Sequence, residues 1–371
     1  MDDSQKDHAF MRRALALAER GWGQTAPNPM VGAVVVAGDV VVGEGFHARF
    51  GEAHAEVAAL TAGGERARGA TLYVTLEPCA HYGKTPPCVD AVLAAGITRV
   101  VIAVRDPSEM ARGGVKRLRA AGVRVEVGVE CEEAVELNAP FFNAHASERA
   151  WVTLKLAVAA NGGIADPTGQ HRWITGPSSR VEVHRMRANS DAIAVGIGTV
   201  LADDPSLTVR DVPAPRVPPA RVVFDRNLRT PLESQLVRAS GRPLVVVGGP
   251  QRSASREQSV LREAGVDLVF PESAREALVA LRERGIRSVL VEGGARLAGS
   301  LLAEKVVDRL VIFRSPLVLG EDALSAFAFA PPGFEATLSS RRIVDRRRFD
   351  DDVMTTYALT ELPTEGLCSP D

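Results

Sequence analysis

Over the first 145 or so residues the spacing of hydrophobic positions switches repeatedly between helical and strand-like. Residues 5–19 place Phe10, Ala14, Leu17 and Ala18 on one helical face, and Gly21 and Gly23 end the run. "VGAVVVAGDVVVGEGF" reads as two strands joined by a Gly-Asp turn. "HAEVAALTAG" predicts a short helix ended by Gly63, and "ATLYVTL" a strand. "PPCVDAVLAAG" predicts a helix opened by proline and closed by glycine, and "RVVIAV" a buried strand. A hairpin followed by alternating helices and strands predicts an α/β domain, a mixed sheet with helices on both faces.

The pattern restarts after the polar segment "NAHASERA", residues 143–150, so the boundary is placed there, giving domains 1–146 and 147–371. "WVTLKLAVA" alternates as a strand, and "SSRVEVHRMRANSD" predicts a helix with Ser178 or Ser179 as N-cap. "AIAVGI", "ARVVFD", "PLVVVG", "VDLVF" and "SVLVEGG" are apolar strands, with helical stretches at 272–284 and 295–304. The chain ends in strand-like "DRLVIFRSPLVLG" and "DDVMTTYALT". This is a second α/β domain without a sequence repeat of the first.

A length of 371 residues agrees with two domains, since single domains cluster at about 100–200 residues. Lys plus Arg number 44 against 46 Asp plus Glu, so no global field draws the chain to nucleic acid or an anionic membrane. The N-terminus sets acids before bases and has no unbroken apolar run, which argues against a signal peptide or anchor, and no stretch is apolar for the ~18 residues that a membrane span needs. Four cysteines, at 79, 88, 131 and 368, are too few and too uneven for a disulfide framework. The cytoplasm is the expected compartment, where Cys79 and Cys88 are metal ligands or plain thiols. Cys131 and Cys368 suggest no role.

"HAE" at 54–56 and "EPCAHYGKTPPC" at 77–88 carry the chemistry. A catalytic zinc takes three protein ligands and keeps a fourth position for water. His54 at a helix start and Cys79 and Cys88 from a strand-to-helix loop supply that number. Glu56, two positions after His54, can shuttle a proton without ligating. Zinc nucleobase deaminases carry H-x-E followed by P-C-x-x-C. Here "AHYGKTPP" separates the two cysteines and widens the loop. Taken singly, each cysteine could be a small buried hydrophobe and His54 an ordinary helix residue; the joint spacing favours the metal. In the second domain "VEGGARLAG" sets two glycines between strand and helix, where free N–H groups and the helix dipole favour an anion. Strand-Gly-Gly-helix is also a common turn.

"APNPMVGAVVV", "HAEVAAL", "YVTLEPCAHYGKTPPCVDAV", "WITG", "RANSDAIAVGIGTVLADDPSLTVR" and "VEGGARLAGSLL" together resemble the bifunctional riboflavin-biosynthesis deaminase/reductase family over nearly the whole chain. The long loop "PCAHYGKTPPC" is the most specific of these motifs. The resemblance implies a cytidine-deaminase-like N-terminal domain and a dihydrofolate-reductase-like C-terminal domain, with Zn2+ and NADPH as cofactors. It implies zinc on His54, Cys79 and Cys88, Glu56 as acid/base, and Asn28, His47, Lys84 and Thr85 lining the pocket of a phosphoribosylated diaminopyrimidinone. Lys84 would meet the phosphate. In the second domain it implies cofactor contacts from Ala157, Trp173, Thr199, Asp203 and the run Gly294, Ala295, Arg296, Leu297, Ala298, Gly299, Ser300. Substrate contacts would come from Lys155, His171, Arg187, Leu207, Arg210 and Glu292, the two arginines acting as phosphate clamps. A homo-oligomer, dimer or tetramer, is expected.

Two departures stand out. Ser108-Glu109 replaces the family's Asn-Pro, and "ANGGIA" sets Asn161 and Gly163 where the family has an acid and a base. The second raises the alternative of a deaminase whose C-terminal domain binds but does not reduce. Other readings are a zinc-stabilised scaffold or sensor, which would need His81 as a fourth ligand, and a nucleic-acid deaminase, disfavoured by the charge balance.

Overall fold

Strict alternation along the short strands of the first unit sends successive side chains to opposite faces of one sheet. The computed structural model describes residues 3–83, 86–165, 173–239, 241–250, 255–362, 364 and 366–369. β1 (Gly32–Ala37) and β2 (Val40–Phe46) form the hairpin, and β3 (Thr71–Val74), β4 (Arg99–Ile102) and β5 (Arg124–Val127) complete a sheet of order β2-β1-β3-β4-β5. β1 pairs antiparallel with β2 and β3, whereas β3, β4 and β5 run parallel. Leu72, Val74, Val100 and Ile102 face one core with Ala59 and Val89, while Tyr73 and Val101 face another with Met11 and Phe142. Helices therefore cover both faces, as the sequence predicts.

Glycines in β1 and β2 set how closely those helices approach. A Cβ on Gly32 would lie 1.9 Å from the Ala14 carbonyl oxygen, so the helix Asp3–Ala18 rests directly on the strand. A Cβ on Gly43 would lie 2.2 Å from the Ala59 carbonyl oxygen, and one on Gly45 2.4 Å from the Ala59 nitrogen. The helix Ala55–Gly63 is thus seated on bare β2 backbone.

The second unit is built on β6 (Trp151–Val158), β8 (Ala192–Gly196), β9 (Ala220–Phe224), β10 (Leu244–Val247), β11 (Asp267–Val269), β12 (Ser288–Val291), β13 (Arg309–Arg314), β15 (Ile343–Phe349) and β16 (Asp352–Ala358). A small pair, β7 (Gly163–Ala165) with β14 (Leu324–Ser325), stands apart. The nine-stranded order is β11-β10-β9-β8-β12-β6-β13-β16-β15. Pairing is parallel from β11 through β13, and β16 and β15 add an antiparallel edge. The sequence reading misses β15, because "IVDRRRF" is mostly charged. Such charge suits a strand at a sheet edge.

Two expectations need correction. The helix Pro177–Ala188 is capped by Gly176, not by Ser178 or Ser179; those hydroxyls lie within the first turn and donate to the carboxylates of Asp350 and Asp352. The second unit also ends at Glu361 instead of running to 371, because the segment from Leu362 belongs with the first unit. Leu362 and Leu367 pack on the Met11–Phe142 core, the Arg105 N–H donates to the Leu367 carbonyl, and Cys368 is disulfide-bonded to Cys131. Nothing in the spacing of four cysteines announces that bond. Among the described residues no helix is long and apolar enough to cross a membrane.

A buried ion pair ties the start of the second unit to β13. Arg149 donates to both Asp308 oxygens at 2.7 and 2.6 Å, and the same carboxylate accepts the Val152 N–H at 2.8 Å and the Thr360 hydroxyl at 2.9 Å. Removing one partner strands the other charge in the interior, at a cost of about 3–5 kcal/mol. Asp308→Ala should therefore lower the melting midpoint of the second unit's transition by at least about 5 °C. A midpoint unchanged to within a degree would contradict this role.

Candidate metal centre and reductase cleft

His54 is the extended N-cap of the helix Ala55–Gly63, and Glu56 lies in its first turn, only 3% exposed. Cys79 follows β3 in the loop, and Cys88 opens the helix Cys88–Ala94. The three donor atoms of His54, Cys79 and Cys88 lie within 4.8 Å of one another. His54 Nδ1 is 3.1 Å from Cys88 Sγ and 3.7 Å from Cys79 Sγ. Tetrahedral zinc with bonds of about 2.0–2.3 Å holds its donors roughly 3.3–3.8 Å apart, so one nitrogen and two sulfurs gathered this tightly suit that ion, with small shifts of the side chains on binding. His81 is not in this group.

The site's protons are coupled. A hydrogen bond from Cys88, followed by one from His54, drives the Cys79 thiol down to about 4. The same hydrogen bond to Cys79, with burial, pushes Cys88 far up. Hydrogen bonding to Cys79 raises the His54 imidazole, and burial raises the Glu56 carboxyl. Cysteine and histidine ligate in their deprotonated forms, so a bound cation would take the place of these protons.

Asn28 and His47 close one side. His47 contacts the Ala53 carbonyl through Nδ1 at 3.2 Å, so Nδ1 must carry the proton and Nε2 the lone pair. Asn28 Nδ2 then donates to that Nε2 at 3.4 Å, which leaves the amide oxygen oriented as an acceptor. Burial holds the His47 imidazole below its ordinary range, and its ring stands edge-on to His54 at 5.5 Å. Lys84 and Thr85 lie outside the described residues.

Sequence reasoning misses Glu77. Its carboxylate is buried and accepts the N–H groups of Asp106, Gly113 and Val115 at 3.2, 3.1 and 2.9 Å, fixing the loop of residues 106–115 against the Pro78-Cys79 backbone. A lone acid just after an apolar strand, two residues before the first cysteine, is the signal that could have found it. Ser108 donates its N–H to Asp106, and Glu109 pairs with Arg112 on the surface, so this departure is accommodated within the loop itself.

In the second unit, Lys155 on β6, Glu292 after β12 and Arg187 on the helix Pro177–Ala188 form a half-buried charged cluster. Arg187 donates through Nε and Nη2 to the two Glu292 oxygens at 2.5 and 3.0 Å, and through Nη1 to the Thr208 carbonyl at 2.9 Å. These three bonds hold Arg187 beside Glu292 and leave two of its five N–H donors without a bond among them. Arg210, by contrast, is exposed, with its backbone N–H on His184 Nδ1. Burial alone would raise Glu292, but Arg187 and Lys155 outweigh it and hold the carboxyl low; burial lowers Lys155.

Gly294 caps the helix Ala295–Ala303 in extended conformation with no side-chain hydrogen bond, and a Cβ there would meet nothing within 4 Å. Open, uncapped N–H groups of this kind fit a pyrophosphate. Of the other residues expected at the cofactor, Arg296 and Ser300 are exposed, Ala295, Ala298 and Gly299 are buried, and Leu297 packs against Gly196 and Gly293. Thr199 and Asp203 lie on the helix Ile197–Asp203, Ala157 near the end of β6, and Trp173 is 58% exposed under the Arg180 guanidinium. Leu207 is buried with φ of 46°. His171 lies outside the described residues. Asn161 both donates to and accepts from the Leu319 backbone, so this departure secures a turn.

Residues 150–354 match the RibD C-terminal domain, and residues 4–104 match the cytidine and deoxycytidylate deaminase zinc-binding region. Riboflavin biosynthesis protein RibD of Aquifex aeolicus is 44% identical over 318 residues, covering 85% of this chain and 88% of that protein. The chain belongs to the RibD family. RibD of Bacillus amyloliquefaciens is 41% identical, with 96% of each chain covered. RibD of Acinetobacter baumannii has a solved structure that superposes with a TM-score of 0.80 at 36% identity, over 97% of this chain and 100% of that one. The Thermotoga maritima diaminohydroxyphosphoribosylaminopyrimidine deaminase/5-amino-6-(5-phosphoribosylamino)uracil reductase gives 0.81 at 34%, over 96% and 99%. As a RibD, the chain is a bifunctional deaminase/reductase of riboflavin biosynthesis, zinc-dependent in its first unit and NADPH-dependent in its second.

Metal retention and proton transfer should separate by mutation. Cys88→Ser and His54→Ala should lose bound zinc on dialysis, whereas Glu56→Gln should keep it and lose deamination by at least about 100-fold. Metal analysis alongside ammonia release checks this; loss of zinc from Glu56→Gln would make Glu56 a structural ligand.

Proposed function

We propose that the first unit deaminates 2,5-diamino-6-(5-phosphoribosylamino)pyrimidin-4-one and that the second reduces the ribosyl chain of the product to ribityl. The observation that carries the reading is Glu56, buried in the first turn of the helix that His54 caps, with His54 one of three clustered metal donors. His54, Cys79 and Cys88 would hold zinc, which when bound makes water acidic enough to react at neutral pH. Asn28 accepts from a ring amine and aligns the pyrimidine, with His47 fixing the amide. Water adds at the carbon bearing the amine. Glu56 takes a proton from the water and delivers it to the amine; the C–N bond breaks, ammonia leaves, and the remaining hydroxyl proton passes to the ring nitrogen as the ring carbonyl forms.

In the second unit NADPH supplies the hydride. The open-chain imine of the ribosylamine gains hydride at carbon and a proton at nitrogen, becoming the ribitylamine. Lys155 and Asp203 position the sugar, and Glu292, held ionised by Arg187, orients Lys155. Arg210 meets the phosphate. Reduction is favoured over binding alone because Asn161 is committed to the Leu319 backbone, which leaves the Lys155–Glu292–Arg187 cluster undisturbed. We place this activity in the cytoplasm, in a dimer or tetramer.

A coupled assay with the diaminopyrimidinone ribosyl phosphate tests both steps. Ammonia release should equal NADPH loss; both should vanish in Glu56→Ala, with NADPH loss restored by the deaminated intermediate. Ammonia without NADPH loss would confine catalysis to the first unit. No ammonia from zinc-loaded protein would refute the deaminase assignment.

A further inference from the structure

The loop that carries Asn28 is held by a residue far away in sequence. Met30 is buried, and both of its backbone hydrogen-bonding groups are engaged by one side chain. The Met30 N–H donates to Asn138 Oδ1 at 2.8 Å, and Asn138 Nδ2 donates to the Met30 carbonyl at 2.9 Å. A primary amide presents donor and acceptor in one plane, so this two-point bond copies a strand pairing and fixes both position and rotation of the peptide. The residues on either side are tied as well. Asn28 N–H donates to the Thr25 carbonyl, the His47 N–H donates to the Val31 carbonyl at 2.8 Å, and Gly32 N–H donates to the buried Thr75 hydroxyl.

Asn138 is itself rigid. It is the C-cap of the helix Cys131–Leu137, and its carbonyl accepts the N–H groups of Phe141 and Phe142, so it forms the corner to the helix Ala139–Ala146. It is buried, is distant in sequence from the metal ligands and has no part in the proton chemistry. An aliphatic residue would fill such a helix corner without leaving a polar side chain to satisfy. The amide's presence is explained by the peptide it grips, two residues from Asn28.

From this placement we propose that Asn138 is a positioning residue for the deaminase: it acts through Met30 to hold the Asn28 amide where it reads the pyrimidine. The proposal rests on the role given to Asn28 above. Asn138→Ala removes both bonds. Asn138→Asp keeps the acceptor but sets a carboxylate oxygen against the Met30 carbonyl.

Three variants of the full chain, Asn28→Ala, Asn138→Ala and Asn138→Asp, with the double variant Asn28→Ala/Asn138→Ala, are compared for deaminase KM and kcat. Zinc content reports the integrity of the first unit, and reduction of the deaminated intermediate that of the second. Both Asn138 variants should keep zinc and reductase activity and raise the deaminase KM by about tenfold, with a smaller change in kcat. The double variant should be no worse in KM than Asn28→Ala alone, because a residue acting only through Asn28 has nothing left to position.

An unchanged KM in both Asn138 variants, with a raised KM in Asn28→Ala, would overturn the proposal and leave the Asn28 assignment intact. Multiplied effects in the double variant would show a role independent of Asn28, and zinc loss from both Asn138 variants a general structural one; either overturns it. A normal KM in Asn28→Ala would remove the Asn28 assignment and the proposal together.

Discussion

The close seating of one helix on bare backbone controls the geometry of the deaminase centre. Gly43 and Gly45 in β2 allow the helix Ala55–Gly63 to lie at a distance that any side chain there would forbid. That distance brings His54, at the helix start, to the two sulfurs delivered by the loop after β3. Glu56 follows without further instruction, because its place in the first turn buries it beside the same donors. The short helix contributes little stability by itself; its packing contact determines where the chemistry sits.

The two units solve their electrostatic problems differently. In the first, the acid at the site has no basic side chain as a hydrogen-bonding partner among those described, and the cysteines and histidine share protons that a cation would displace. In the second, a bidentate Arg187–Glu292 pair sits beside the half-buried Lys155. A fully paired carboxylate stays ionised and can orient Lys155, whereas a carboxylate with a raised pKa is suited to moving a proton.

Much of this was legible in the sequence, because period changes, terminal glycines and the H-x-E spacing are local signals. The hairpin, the helix after His54 and the strand before Glu292 all follow from neighbours within ten or so residues. What the sequence hid depends on partners far apart along the chain. Asp352 accepts from Gly176 and Ser179 and thereby replaces the serine cap that local rules favour. Arg187 reads locally as one charge on a helix, yet Glu292, distant in sequence, takes the Nε–Nη2 edge of its guanidinium. The tail from Leu362 reads as the end of the second domain, yet it packs on the first through Leu367 and the Cys131–Cys368 bond. β15 escaped because a charged edge strand carries no hydrophobic alternation.

Zinc K-edge X-ray absorption on the purified protein tests the central claim, an open three-ligand centre with Glu56 beside it, most directly. The expected shell is two sulfurs at about 2.3 Å and two nitrogen or oxygen scatterers at about 2.0–2.1 Å, with a single imidazole signature. A second imidazole, as His81 would give, means four protein ligands and a closed structural site, which would contradict the catalytic reading.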